Sequence, residues 1–256
     1  MNNTRIIAFA NHKGGVGKTT TVATLGALLS RRGLNVLMVD LDAQCNLTDF
    51  FLEAGERKSV YDSMVGKKGD FTVSLRTDLS LLPSSLDMSA LDLMLAGRME
   101  RERCLQRILK RLDEQNHYDA ILIDCPPSLG MATVNALVAA TDLYVPTTAE
   151  YMPLKGLVML QDICENIAQG LNPGIGISGI IITRFISTKK LSRAVEKKLR
   201  DEYSDIVFDT IIRENVKLAE CPVTRKDIIE YAPESNGATD YLGLAVEVLT
   251  RLGFEQ

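Results

Sequence analysis

Eight consecutive residues, Lys13, Gly14, Gly15, Val16, Gly17, Lys18, Thr19 and Thr20, carry the chemistry needed to hold a polyphosphate. Glycines let the backbone approach phosphate oxygens and present N–H donors at the positive end of a following helix. Lys18 is then placed to reach the β- and γ-phosphates, and the Thr19 hydroxyl to bind Mg²⁺. The common form of this loop, G-x-x-x-x-G-K-[ST], has a glycine five residues before Gly17. His12 stands there instead, and a second lysine, Lys13, opens the loop.

Three carboxylates belong with that loop. Asp40 and Asp42 close the run "VLMVDLDAQCN", and Asp124 closes "AILIDCPPS". An aspartate at a strand end is often a turn former or helix cap. Three of them at the carboxyl edge of a sheet, where open α/β folds bind ligands, favour handling of Mg²⁺ and water.

Elements must exist to bring these groups together. The runs "RIIAFA", "NVLMVD", "YDAILID", "TDLYVPTT" and "GISGIIIT" are apolar throughout, as strands buried on both faces of a parallel sheet are. Longer segments of helical period alternate with them, the first over 18–32 and closed by Gly33. The expected fold is α/β: one doubly wound, mostly parallel sheet flanked by helices, in a single domain spanning 1–256. Between 53 and 97, "SVYDSMVG" and "SSLDMSALDLMLAG" read as helices, with Ser84 or Ser85 as N-cap, and "LSLLP" as a short strand.

Composition excludes other classes. The five cysteines form no C-x-x-C pair and no Cys/His cluster, so neither a zinc site nor a disulfide framework is indicated. No stretch approaches the roughly 18 apolar residues of a membrane span, and the start is too short for a signal peptide; a cytoplasmic protein is expected. The net charge of −4 argues against a wholly basic nucleic-acid binder but says nothing of local patches.

The segments "KGGVGKTT", "VDLDAQ", "DCPPSLG", "RENVKLAECP" and "YAPESNGATDYLGLA" occur in order over nearly the whole chain. Together they resemble the ParA/Soj family of partitioning ATPases, within the deviant-Walker-A P-loop ATPases that include MinD. The resemblance implies ATP and Mg²⁺ as cofactors, an ATP-bound homodimer, and Lys13 crossing to the partner's phosphates. It implies Asp42 as the carboxylate that orients the attacking water, with Lys13, Lys18 and Asp42 as the catalytic set. Asp124 becomes the Walker B aspartate, Asp40 a more distant Mg²⁺ or switch residue, and Thr19 the direct metal ligand. Thr183, Arg213, Asn215 and Pro222 become nucleoside-side residues beside Gly14 to Thr20. The family usually reads D-P-Q-G-N where this chain has Asp42, Ala43, Gln44, Cys45 and Asn46, which predicts a looser turn. At the base pocket Glu214 stands within "IREN", where proline-arginine-asparagine is more usual.

From Arg184 to Arg200 seven basic residues face a single acid, Glu196. In "KKLSRAVEKKLRDEY" a helix places Leu191, Ala194, Val195 and Leu199 inward, leaving Lys189, Arg193, Lys197 and Arg200 outward, with Lys190 and Lys198 nearby. The residues alone fit a solvated amphipathic helix equally well. The resemblance implies nonspecific double-stranded DNA as the ligand of Lys189, Lys190, Arg193, Lys197 and Arg200, joined by Lys217, Arg225 and Lys226. It also implies a ParB-like centromere-binding partner, nucleoid association and slow basal hydrolysis, with no helix-turn-helix domain ahead of Lys13.

A second basic cluster, Arg98 to Arg111, is interrupted by Glu100 and Glu102 and reads as surface. Two alternatives use the same engine. A MinD-like membrane-cycling ATPase needs a basic amphipathic C-terminal helix, whereas "AVEVLTRLGFEQ" carries one Arg and two Glu. A nitrogenase-iron-protein-like reductase needs paired cluster cysteines, and Cys125 has no evident second ligand.

Overall fold

The computed structural model describes residues 4–53, 55–150 and 153–254; Glu255 and Gln256 of the C-terminal stretch weighed above lie outside them. Its strands are β1 (Arg5–Phe9), β2 (Val36–Asp40), β3 (Val73–Arg76), β4 (Leu79–Leu82), β5 (Ala120–Asp124), β6 (Asp142–Thr148) and β7 (Ile177–Thr183). They form one sheet in the order β3-β4-β2-β5-β1-β6-β7, parallel except for the β3–β4 pair. The helices are α1 (Lys18–Arg31), α2 (Asn46–Phe51), α3 (Val60–Met64), α4 (Leu91–Leu95), α5 (Cys104–Asn116) and α6 (Met131–Ala139). They continue with α7 (Pro153–Ala168), α8 (Lys190–Tyr203), α9 (Val216–Thr224), α10 (Ile228–Tyr231) and α11 (Asn236–Leu252).

Alternate strand residues supply the two core layers. Ala8, Leu37, Ile121 and Val145 pack with α3, α5, α6, α7 and α8, while Ile7, Met38, Leu122 and Tyr144 pack with α1, α2, α9, α10 and α11. This two-sided burial is why the strands read as continuous apolar runs. Gly26 sets the closeness of α1 to the sheet, because a Cβ there would stand 2.5 Å from the Met38 sulfur.

Three local expectations change. The segment 84–97 does not form one helix: a 3₁₀ turn over Leu86–Ala90 precedes α4, and the Ser85 hydroxyl accepts from Ser59 Oγ at 3.1 Å instead of capping. Ser84 Oγ donates to the Asp42 carbonyl at 2.7 Å. On α8 the inward row is Ser192, Val195 and Leu199, so Leu191 and Ala194 face solvent. The i, i+3, i+7 spacing chooses that row over the more apolar-looking one. The 41–46 turn is closed, not loose, as the site geometry explains.

Candidate active site

The loop from Ala10 to Gly17 joins β1 to α1 at the carboxyl edge of the parallel strands. Asn11 pins its entry, donating from Nδ2 to the Pro146 carbonyl at 2.8 Å and accepting the Lys13 N–H at 3.1 Å. Gly17 closes it at φ 87°, a left-handed conformation that favours glycine. Because Gly17 offers no side-chain cap, the first-turn N–H groups of α1 remain aimed outward at the loop mouth. Thr183 holds the loop from below by donating to the Val16 carbonyl at 2.8 Å.

A cavity of about 880 Å³ opens above this loop, within the ~300–1,000 Å³ usual for ligand sites. Gly14, Gly15, Gly17, Lys18, Thr19, Thr20, Asp42, Thr183, Arg213, Asn215 and Pro222 all line it. The phosphate loop, the Asp42 carboxylate and the late "RENVKLAECP" segment therefore meet around one space. Val16, expected beside the phosphates, is buried and does not line the cavity.

Lys18 is buried, and its ammonium donates to the carbonyls of Asn11 at 3.2 Å and Lys13 at 3.3 Å. Burial pulls it below the ordinary lysine value, opposed by the charge of Asp124. Thr19 Oγ1 donates to Asp124 Oδ2 at 2.7 Å. Asp124 Oδ1 is buried with no hydrogen-bond partner, and burial followed by the charge of Asp40 raises this carboxyl well above the ordinary range. A buried carboxylate oxygen without a partner beside a threonine hydroxyl fits a hydrated divalent cation.

Asp40 lies opposite Asp124 in the β2–β5 register, but it does not face the cavity. It is fully buried and accepts three hydrogen bonds: Asp42 N–H at 3.0 Å, Thr48 N–H at 2.8 Å and Thr48 Oγ1 at 2.8 Å. Burial raises it to about 6 against those bonds. Its position is that of a brace for the Asp42 turn. Asp42 in turn accepts the Gln44 N–H at 3.0 Å, and its carbonyl accepts the Cys45 N–H at 2.9 Å. Cys45 takes the left-handed conformation, φ 56°, at the position where the resemblance places glycine. The turn is closed at the cost of strain in a side-chain-bearing residue.

Lys13 does not line the cavity. Its side chain is half-exposed and its ammonium is 2.7 Å from Glu150 Oε2, with Thr148 Oγ1 at 3.5 Å. On the nucleoside side, Arg213 is held by Asp240 through its backbone N–H and guanidinium, at 2.6–3.1 Å. Asn215 caps α9 by accepting the Lys217 N–H, and Arg184 pairs with Glu214 at 3.3 Å. Sequence reading missed Glu150, Asp240 and Tyr241, whose hydroxyl meets Thr21 Oγ1 at 3.0 Å under the cavity wall. For Glu150 a signal existed, an acid just past the end of β6.

Lys189, Lys190, Arg193 and Lys197 are exposed along α8 and its start. Arg200 is tied to Glu196 at 3.3 Å and Asp209 at 3.6 Å. Lys226 follows α9, in the layer on the other side of the sheet, so it is not part of that row.

A phosphate loop opening a helix, with a threonine–aspartate pair at the carboxyl edge of a mostly parallel sheet, defines a P-loop nucleotide-binding protein. The AAA domain family matches residues 4–177. The chain is 39% identical to the chromosome-partitioning ATPase Soj of Treponema pallidum over 97% of this chain and 98% of that one. It is 35% identical to the chromosome partitioning protein ParA of Caulobacter vibrioides over 98% and 96%. The crystal structure of cobyrinic acid a,c-diamide synthase from Mycobacterium smegmatis with bound ADP and magnesium superposes with a TM-score of 0.84 at 33% identity, covering 98% of this chain and 96% of that one. The chain belongs to the ParA/Soj family of deviant-Walker-A P-loop ATPases. Among the described residues no helix is long and apolar enough to cross a membrane.

Proposed function

We propose that this chain is an ATP-dependent DNA-partitioning ATPase. Its ATP-bound homodimer binds nonspecific double-stranded DNA in the cytoplasm, on the nucleoid. Hydrolysis, slow in the isolated protein, is stimulated by a ParB-like centromere-binding partner and releases the dimer. One observation carries this reading: the cavity holds one fixed lysine, Lys18, while the second, Lys13, lies outside it in an exposed ion pair. A cation supplied across a dimer interface would resemble an arginine finger, worth about 10³–10⁵ in rate in related chemistry.

Within one protomer, loop N–H groups and Lys18 bind the phosphates, and Asp42 holds and orients the attacking water. Mg²⁺ would be held by the Thr19 hydroxyl and, through water, by Asp124, and would neutralise charge on the β- and γ-phosphates. Thr183, Arg213, Asn215 and Pro222 would enclose the nucleoside. Lys189, Lys190, Arg193 and Lys197 supply the DNA footprint, which dimerisation doubles. The apolar face of α11 is buried against α1, which favours DNA over a lipid surface as the ligand.

The test is sedimentation and ATP turnover of the wild type and Lys13→Ala, with saturating ATP and Mg²⁺. The reading expects Lys13→Ala to stay monomeric and lose hydrolysis while still binding ATP. Dimerisation and turnover at wild-type levels would refute the role in trans.

A further inference from the structure

Neither the nucleotide cavity nor α8 uses the cations between Arg98 and Arg111. Three of them, Arg98, Arg107 and Arg111, ring a depression of about 240 Å³ between the C-terminal end of α3 and α5. Its floor is apolar, formed by buried Met64, Cys104 and Ile108, and Met99 stands on its rim at 91% exposure. Arg98 donates to the Met64 carbonyl at 3.0 Å and the Val65 carbonyl at 2.7 Å, and Arg111 to the Gly69 carbonyl at 3.0 Å. Carbonyls fix the direction of a guanidinium without neutralising it. Among the described residues neither arginine has a carboxylate within 4.0 Å. Arg107 pairs with Glu100 at 3.0 Å, but both are exposed, so the pair is readily exchanged.

The depression is smaller than the ~300–1,000 Å³ of small-molecule sites, and its size suits one inserted side chain. Arginine and methionine around an apolar centre are what protein interfaces enrich. Nucleic acid would satisfy the arginines but offers nothing for Met64 and Ile108. Residues 98–111 carry six cations against Glu100 and Glu102, in a chain of net charge −4. That local reversal attracts an acidic segment that the remaining surface repels.

We propose that this α3–α5 depression docks an acidic segment of a partner protein. One large apolar side chain of the segment inserts over Met64 and Ile108, and flanking Asp or Glu carboxylates form charge-assisted bonds with Arg98, Arg107 and Arg111. The surface is separate from the nucleotide cavity and from α8, so this docking stands whether or not DNA is the ligand of α8.

The experiment selects a displayed library of random twelve-residue peptides on the full-length protein, with the double variant Arg107→Glu, Arg111→Glu as counter-selection. Peptides enriched only on the wild type are expected to share an apolar residue flanked by Asp or Glu. A labelled peptide of that sequence should bind at least tenfold more weakly to the double variant, and equally weakly to the wild type once its apolar residue is Ser. Met99→Glu, on an exposed rim residue whose change cannot unfold the core, should weaken binding likewise. No wild-type-specific enrichment, or a consensus lacking either the acids or the apolar residue, overturns the proposal. Displacement of the peptide by random-sequence duplex DNA at equal strength overturns it too, and makes the surface a nucleic-acid site.

Discussion

Lys13 Nζ lies 2.7 Å from Glu150 Oε2, so the lysine that opens the phosphate loop is bound within its own protomer to an acid at the end of β6. The Lys13 hydrogen bond holds the Glu150 carboxyl below its ordinary value. Both side chains are about half exposed, and exposed pairs contribute about 0.2–1 kcal/mol, so the contact is breakable. If Lys13 must leave Glu150 to reach a second protomer, Glu150→Gln removes a competitor. Each protomer of the dimer gives up one such pair, so the expected result is an ATP-state dimer tightened by up to about fivefold per protomer, or roughly 25-fold in the dimerisation constant read by sedimentation, since 1.4 kcal/mol corresponds to tenfold. A weaker dimer would mean that Glu150 guides Lys13 across the interface.

Thr19 and Asp124 form the pair suited to a hydrated cation. Thr19→Ala should leave stabilisation by ATP in EDTA unchanged and reduce the additional stabilisation from Mg²⁺. A tenfold loss of Mg²⁺-dependent affinity, about 1.4 kcal/mol, would lower the melting temperature with ATP and Mg²⁺ by roughly 3–6 °C. An equal loss with and without Mg²⁺ would show that the hydroxyl serves the loop and not the metal.

Cys45 occupies a left-handed conformation that costs a side-chain-bearing residue about 1–2 kcal/mol. Cys45→Gly relieves it at the expense of a freer unfolded chain and of the weak Sγ–H bond to the Ala43 carbonyl. A net gain of about 1 kcal/mol, roughly 2–4 °C in melting temperature, is expected from calorimetry. A fall in melting temperature would mean that the thiol holds the turn.

Asp227 joins Arg31 at 2.7 Å and Arg76 at 3.1 Å and caps α10, with its own side chain wholly buried. Burial alone would raise its carboxyl, but Arg31 and then Arg76 leave it below the ordinary value. A carboxyl lowered on folding contributes stability above its unfolded value of about 3.9, and that contribution is lost as pH falls through the folded value. Asp227→Asn should therefore cost about 3 kcal/mol at pH 7 and progressively less below pH ~4, read from urea unfolding at several pH values. A cost that does not change with pH would assign it to the cap alone.

The parallel strands and α1 were legible because two-sided burial writes itself as uninterrupted apolar runs, and the phosphate loop because its spacing is local. β3 was not legible: it is a four-residue edge strand, half exposed, with an irregular register against β4. The inward row of α8 was misread because Ser192 is buried while Leu191 is 48% exposed, which reverses their polarity. Glu150 could be placed near the loop as an acid just past β6, but its partner is 137 positions away and that of Asp240 is 27 away, so neither pairing could be read along the chain.

Binding of random-sequence duplex DNA to the wild type with ATP, with ADP and without nucleotide, across a salt series, tests the central claim most directly. If each protomer neutralises about three phosphates, the dimer engages about six, and log affinity against log salt should fall with a slope of about −5 in ATP only. The slope should shrink in Lys197→Ala. Binding of equal strength and equal slope in all three states, or none in any, would contradict a nucleotide-gated DNA clamp.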